Sequence, residues 1–172
     1  GICYHPAHQV VEVDPAAKSL KFAHGAAAGY DLLVHVPPLR PPAVVRDAGL
    51  AAESGWIAVD RHSLATRFER VFAIGDVTSI PLKLGKPLPK AGVFAHAEAK
   101  TVARRIAQAV AGQATDAVFN GHGHCWIELG DARAGFASGD FYASPEPEIT
   151  LRRPGRIHHL GKVAFEKWWL RH

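Results

Sequence analysis

Apolar and polar positions alternate in short runs through the first forty residues, and a helical period is sustained only once, in the second half of the chain. Residues 9–13 alternate, Asp14-Pro15-Ala16-Ala17 supplies a turn, residues 19–23 alternate again, and residues 25–29 break the run with glycines. Residues 30–36 then read as a buried strand, so a hairpin feeding a core strand is expected. Pro37, Pro38, Pro41 and Pro42 forbid regular structure, because each lacks an N–H and pushes its predecessor toward extended backbone. A short turn of helix is expected after them, over residues 44–50.

Trp56-Ile57-Ala58-Val59 reads as a brief strand ending at Asp60, and residues 70–74 as an apolar strand ending in Gly75-Asp76. A loop rich in Pro and Lys covers residues 79–92. Over residues 93–111 the spacing of Ala99, Val102, Ala103, Ile106, Ala109 and Val110 predicts a helix with that stripe inward; Lys100, Arg104, Arg105 and Gln108 take the other face and Gly112 ends it. Residues 125–129, 134–142 and 148–152 read as strands of an antiparallel sheet, separated by Gly-Asp and Ser-Pro turns. An aromatic helix is predicted over residues 161–170, with Leu160, Ala164 and Trp168 along one face and Phe165 and Trp169 beside it. The fold class expected from this order is mixed α/β, with an antiparallel sheet and a terminal amphipathic helix.

Composition narrows the class without naming a function. In 172 residues, 48% are hydrophobic and 21% charged, which excludes a disordered chain, a coiled coil and a fibre. No run approaches 18 uninterrupted apolar residues and no secretory leader pattern opens the sequence, so the chain as given reads as soluble. It contains no methionine and opens Gly-Ile-Cys-Tyr, which reads as the middle of a folded domain and predicts a piece of a longer protein. Twenty Lys and Arg against 16 Asp and Glu give a net charge of +4, but the basic residues are dispersed, so nucleic acid is not an expected partner. Cys3 and Cys125 are too few for a disulfide framework and point instead to a single reactive thiol.

Chemistry is suggested at three places. The string Val71-Phe72-Ala73-Ile74-Gly75-Asp76 delivers a glycine, which allows close ligand approach, and then a carboxylate able to accept hydrogen bonds from sugar or ribitol hydroxyls. Read structurally, Asp76 would simply cap the next turn. Cys125 follows His122 and His124, whose imidazolium forms would favour a thiolate; read structurally, it is a buried small hydrophobe. These three residues, with His96, His158 and His159, lack any CxxC or HxxxH spacing, so no metal is expected. The terminal helix, with Phe165 on it, suits either a membrane interface or packing on the sheet. No Ser-His-Asp elbow or paired-carboxylate pattern supports hydrolysis.

Read in order, Tyr30-Asp31-Leu32-Leu33-Val34 before the prolines, residues 55–60, Thr66, residues 71–76, and Pro89-Lys90-Ala91-Gly92-Val93-Phe94-Ala95 resemble the C-terminal part of flavoproteins with two dinucleotide-binding domains. Within them the resemblance is to the sulfide:quinone oxidoreductase and flavocytochrome c sulfide dehydrogenase group of FAD-dependent pyridine nucleotide-disulfide oxidoreductases. It implies that residues 1–36 are the remnant of an inserted NAD(P)-binding-like domain, residues 37–117 the return of the FAD-binding domain, and residues 118–172 a C-terminal sheet and helix on the interface or quinone side. It also implies that Gly75 and Asp76 hold the ribitol and phosphate end of FAD. Lys90, Ala91 and Gly92, with the helix start behind them, would sit beside the isoalloxazine, where unpaired N–H groups and a lysine favour negative charge. The GxGxxG fingerprint of that family is missing from this chain.

In such relatives a cysteine placed like Cys125 pairs, as a disulfide or persulfide, with a cysteine from the N-terminal part. Sulfide attacks, sulfur passes to one thiol, and the other thiolate delivers two electrons to the flavin. The resemblance further implies that Phe165 contacts the quinone ring; Cys3 reads as structural. The expected function is therefore that of a fragment, inactive by itself, of an FAD-dependent oxidoreductase passing electrons from sulfide through Cys125 and flavin to a quinone. The alternatives are an NADH:quinone oxidoreductase-type flavoprotein that does not need Cys125, a flavocytochrome passing electrons to a haem partner, and a non-catalytic dimerisation or interaction module. Expected partners are sulfide, quinone, the missing N-terminal part of the same chain and a peripheral membrane contact, with homo-oligomerisation open. The expected location is peripheral membrane or cytoplasmic, or the periplasmic face.

Overall fold

The computed structural model describes residues 2–171. The chain divides into two compact units, Gly1–Leu39 and Arg40–His172. In the first, β1 (Val10–Asp14), β2 (Ser19–Phe22) and β3 (Ala27–Gly29) form an antiparallel sheet in that order. The Asp14 carboxylate closes the first turn by accepting the N–H groups of Ala16 and Ala17, each at 2.9 Å. The third strand lies where glycines suggested a break. Residues 30–36, expected as a buried strand, are irregular, and Leu32, Val34 and Val36 are exposed. Among the described residues no strand pairs with them, so their apolar pattern has no ladder to support it.

The second unit opens with α1 (Ala43–Asp47), directly behind the prolines. Next, β4 (Ile57–Ala58) pairs in parallel with β5 (Thr78–Ser79). The strand expected over residues 70–74 is not formed; only the single bridge Ala65–Phe72 occurs there. Two local features explain this. Arg70 has φ of 62°, which breaks the extended path, and the Val71 carbonyl is taken by the Thr66 N–H and hydroxyl, both at 2.9 Å. Ala73 nevertheless packs with Val45 and Ile57 in a small cluster.

The longest element, α2 (Gly92–Val110), ends in a Schellman arrangement. Gly112 has φ of 67°, its N–H bonds the Ala109 carbonyl, and the Gln113 N–H bonds that of Gln108. Its inward face differs from the predicted stripe. Phe94, Glu98, Thr101 and Val102 are buried, whereas Ala103, Ile106 and Val110 are exposed. Alanines mark no face by themselves, and Phe94 decides the matter. It joins Leu64, Ile80, Leu82, Leu88, Val102 and Phe119 in the main core, edge-on to Phe141 at 4.9 Å. Arg105, placed on the solvent face by the sequence, bonds the carbonyls of Thr115 and Ala117 instead.

Strands β6 (His122–Gly130), β7 (Arg133–Asp140) and β8 (Glu148–Gly155) form an antiparallel meander with β7 in the centre. Gly123 of β6 lies against Phe94, and a Cβ there would fall 2.3 Å from the ring. α3 (Arg156–Trp169) begins five residues before its predicted start. It docks through His158 stacked on Phe136, Phe165 stacked on Trp126, and Glu128 paired with His159 at 3.1 Å. Leu160 and Trp168, expected along its working face, are exposed.

Two glycine substitutions test this packing in opposite directions. Gly123→Ala drives a methyl into Phe94 and is expected to destabilise by about 1–3 kcal/mol. Gly161→Ala lies in exposed helix with only Trp126 Nε1 at 3.6 Å, and is expected to stabilise by about 0.5–1 kcal/mol. Urea unfolding of the two variants reads both signs.

Candidate cofactor site

The turn Gly75–Val77 is a single 3₁₀ turn between extended Ile74 and extended Thr78. Gly75 is required twice over: its φ is 70°, and a Cβ would lie 3.2 Å from that of Ala95 on α2. Its N–H donates to Glu98 Oε2 at 2.5 Å, and its carbonyl accepts from the Thr78 hydroxyl at 2.8 Å. From the other side, Lys90 Nζ donates to the carbonyls of Asp76 and Thr78 at 2.5 and 2.8 Å, while lying 3.6 Å over the Trp56 ring. The turn is thus held by a buried carboxyl on one side and an ammonium on the other.

These contacts set the electrostatics. Glu98 is only 2% exposed, and burial pushes its carboxyl above the ordinary value; the Gly75 N–H opposes this, the Asp76 charge adds to it, and Lys90 opposes it again. Burial pushes Lys90 down, against the attraction of Asp76 and Glu98. Gly75, Asp76, Lys90, Ala91 and Glu98 line one small pocket with room for little more than a water-sized group.

Four of the five predicted cofactor residues, Gly75, Asp76, Lys90 and Ala91, therefore converge on one place. The Asp76 side chain is exposed and accepts no hydrogen bond from any described residue. Gly92, the fifth, opens α2 beside them. Ala91 offers no side-chain cap, the N–H groups of Gly92 and Val93 have no acceptor among the described residues, and nothing lies within 4 Å of where a Gly92 Cβ would stand. An uncapped 19-residue helix start, a bare backbone and a free carboxylate are a donor and acceptor set that fits an anionic, hydroxyl-bearing group.

Cys125 lies elsewhere, mid-strand in β6 opposite Ala137, with Sγ 3.3 Å from the Trp126 carbonyl. It is exposed, so it is not the buried hydrophobe of the structural reading. Strand alternation puts it on the face of Gly123, the residue against Phe94, and sends His122 and His124 to the opposite face. There His124 packs on Trp126 and Phe136, so the imidazoles beside Cys125 in sequence are not its partners in space. Phe165 stacks on Trp126 at 5.3 Å and touches Trp169, which meets His96 of α2; an aromatic chain links the terminal helix to the first turns of α2. Sequence reasoning missed Glu98. The available signal was a carboxylate one helical turn beyond Phe94, on the same face.

No family model matches the chain. It is 30% identical over 147 residues to the mitochondrial sulfide:quinone oxidoreductase of Schizosaccharomyces pombe, covering 79% of this chain and 30% of that protein. It is 26% identical over 145 residues to the mitochondrial sulfide:quinone oxidoreductase of Mus musculus, covering 80% and 31%. The chain thus spans about 30% of the length of these curated relatives. Among solved structures, the sulfide:quinone oxidoreductase of Aquifex aeolicus superposes with a TM-score of 0.74 at 24% identity, over 94% of this chain and 39% of that one. A chain of the Tetrahymena thermophila mitochondrial ATP synthase superposes with a TM-score of 0.60 at 19% identity, over 74% and 30%. The chain is a low-identity homologue of sulfide:quinone oxidoreductases, and its mixed α/β architecture is theirs.

Removing the ammonium tests the clamp. Lys90→Met keeps the side chain's length over Trp56 but leaves two carbonyls without their donor, an expected loss of about 1–3 kcal/mol in urea unfolding.

Proposed function

We propose that this chain is the C-terminal portion of an FAD-dependent oxidoreductase that passes electrons from sulfide to a quinone. The carrying observation is the convergence of Gly75, Asp76, Lys90 and Ala91 at the uncapped start of α2, in a chain homologous to sulfide:quinone oxidoreductases. In this reading residues 1–36 derive from an inserted NAD(P)-binding-like domain, residues 37–117 complete the FAD-binding domain, and residues 118–172 form the quinone side. The dinucleotide phosphates would be gripped mainly by residues outside this chain, since the GxGxxG fingerprint is not in it.

Each residue has a role that follows from its surroundings. Asp76 accepts hydrogen bonds from ribitol hydroxyls. The free N–H groups of Gly92 and Val93, with the dipole of α2 behind them, would favour negative charge on the bound cofactor. Lys90 adds positive charge there while fixing the turn that presents Asp76. FAD, when bound, supplies two-electron transfer between a thiolate and a quinone.

Cys125 is the sulfur-handling residue, disulfide-bonded in the resting protein to a cysteine outside this chain. Hydrosulfide attacks that bridge: one S–S bond forms as the other breaks, one cysteine carries the added sulfur as a persulfide, and the other leaves as a thiolate. Once a small nucleophile has taken the outer sulfur of the persulfide, the two cysteine thiolates re-form the disulfide, and the two electrons this releases, with two protons, reach the quinone by way of FAD. Phe165, half-exposed at the end of the Trp126 stack, contacts the quinone ring. Exposed Ile157, Leu160 and Trp168 on α3 and Leu170 just past its end, among Arg156, Lys167 and Arg171, suit a helix lying on an anionic lipid surface where a quinone is found. Among the described residues no helix is long and apolar enough to cross a membrane.

The test uses the intact protein. It is expected to purify with flavin absorbance and to reduce a short-chain quinone on addition of sulfide. Cys125→Ser is expected to keep the flavin and lose the sulfide-dependent rate, and Phe165→Ala to raise KM for quinone more than it lowers kcat. Colourless protein, or an undiminished rate in Cys125→Ser, overturns the reading; an NADH-dependent quinone reduction indifferent to Cys125 would put the NADH:quinone type in its place.

A further inference from the structure

We propose that Glu98 is a proton-responsive positioning residue: it fixes the Gly75–Asp76 turn through the Gly75 N–H, and ionisation of its carboxyl weakens binding of the anionic cofactor presented to Asp76. This rests on the flavin reading above and adds to it a control on cofactor affinity. The geometry carries it. A glutamate inside a helix has no need of burial, yet Glu98 is 2% exposed and spends one oxygen on the amide of the one residue that precedes Asp76. Among the described residues that amide is its only hydrogen-bond donor.

The charged and titratable groups facing Glu98 come from three other segments. Asp76 stands on the turn, Lys90 on the segment before α2, and Tyr142 after β7. Lys90 lines the same cavity, but its ammonium is bonded to the carbonyls of Asp76 and Thr78 and donates nothing to Glu98. Burial holds the Tyr142 phenol well above its ordinary range, so it brings no charge near neutrality. Glu98 therefore meets one carboxylate and one occupied cation.

A neutral carboxyl still accepts the Gly75 N–H through its carbonyl oxygen, less strongly than the carboxylate that this N–H favours, so the latch loosens on protonation without being lost. Ionisation instead adds a second negative charge behind Asp76, where a phosphate-bearing cofactor brings more. Burial displaces the ionisation upward from its ordinary value; the Gly75 N–H opposes this, the Asp76 charge adds to it, and Lys90 opposes it. Cofactor binding favours the protonated form of Glu98, so affinity is greatest on the acid side and falls as pH rises through the ionisation.

The experiment measures FAD dissociation constants of the intact protein from about pH 5 to about pH 9, for wild type, Glu98→Gln and Glu98→Ala, with deuterium exchange of the peptide carrying Gly75 in the absence of FAD. Wild type is expected to weaken by about tenfold across the range beyond any trend shared with Glu98→Gln, which keeps an acceptor for the amide and cannot ionise. The Gly75 peptide is expected to stay protected in Glu98→Gln and to exchange faster in Glu98→Ala. Equal pH slopes in wild type and Glu98→Gln, or faster exchange in Glu98→Gln equal to that of an unlatched turn, overturn the Glu98 assignment alone. Wild type that binds no FAD at any pH overturns the flavin reading, and this inference with it.

Discussion

The second unit depends on what one helical repeat of α2 can touch. Phe94 and Glu98, one turn apart, share a face of α2 with Ala95 on its flank, and each of the three holds a different part of the chain. Phe94 fits over Gly123 and thereby fixes β6; Ala95 packs against Gly75; Glu98 binds the Gly75 amide. The approach of Phe94 to Gly123 leaves no room for a Cβ, and that of Ala95 to Gly75 leaves little, which makes both close. The consequence is geometric. The turn bearing Asp76 and the strand bearing Cys125 are referenced to the same short stretch of helix, and neither can move without disturbing it.

The pleat of β6 then divides labour between the faces of the sheet. One face carries Gly123, Cys125 and Ile127 in succession, beginning at Phe94. The other carries His124, Trp126 and Glu128, which receive α3 through the stacking of Phe165 on Trp126 and the contacts of Glu128 with His159 and Lys162. A thiol in the first row is separated from the aromatic row by the thickness of one strand. The aromatic row still returns to α2 by way of Phe165, Trp169 and His96, so both faces report to the same helix by different routes.

The parts legible in the sequence were those fixed by local chemistry. The Asp14 turn, the helix ended by Gly112 and the meander of residues 122–155 follow from turn residues and periodicity alone. The four residues around the cavity were named from their order, although nothing local says that Lys90 reaches back to Asp76; that contact is made across a loop. What escaped had non-local causes. Residues 30–36 carry a strand's pattern with no strand beside them, and residues 70–74 lose theirs to Thr66 and the positive φ of Arg70. The inward face of α2 was misread because alanines gave it no edge, and Glu98 drew no notice because buried charge is rare. His122 and His124 were credited to Cys125 by adjacency, which strand alternation reverses.

The position of β8 at the rim of its sheet has a further meaning. An unpaired row of amides and carbonyls, with Ile149 and Leu151 exposed beside it, is a template on which another chain's strand could lie. The same strand continues into Arg152, Arg153 and Pro154, two charges and a residue with no amide hydrogen to offer. The rim is therefore blunted at the end nearest α3, and the sheet is discouraged from growing into an aggregate by the residues that also lead the chain off it.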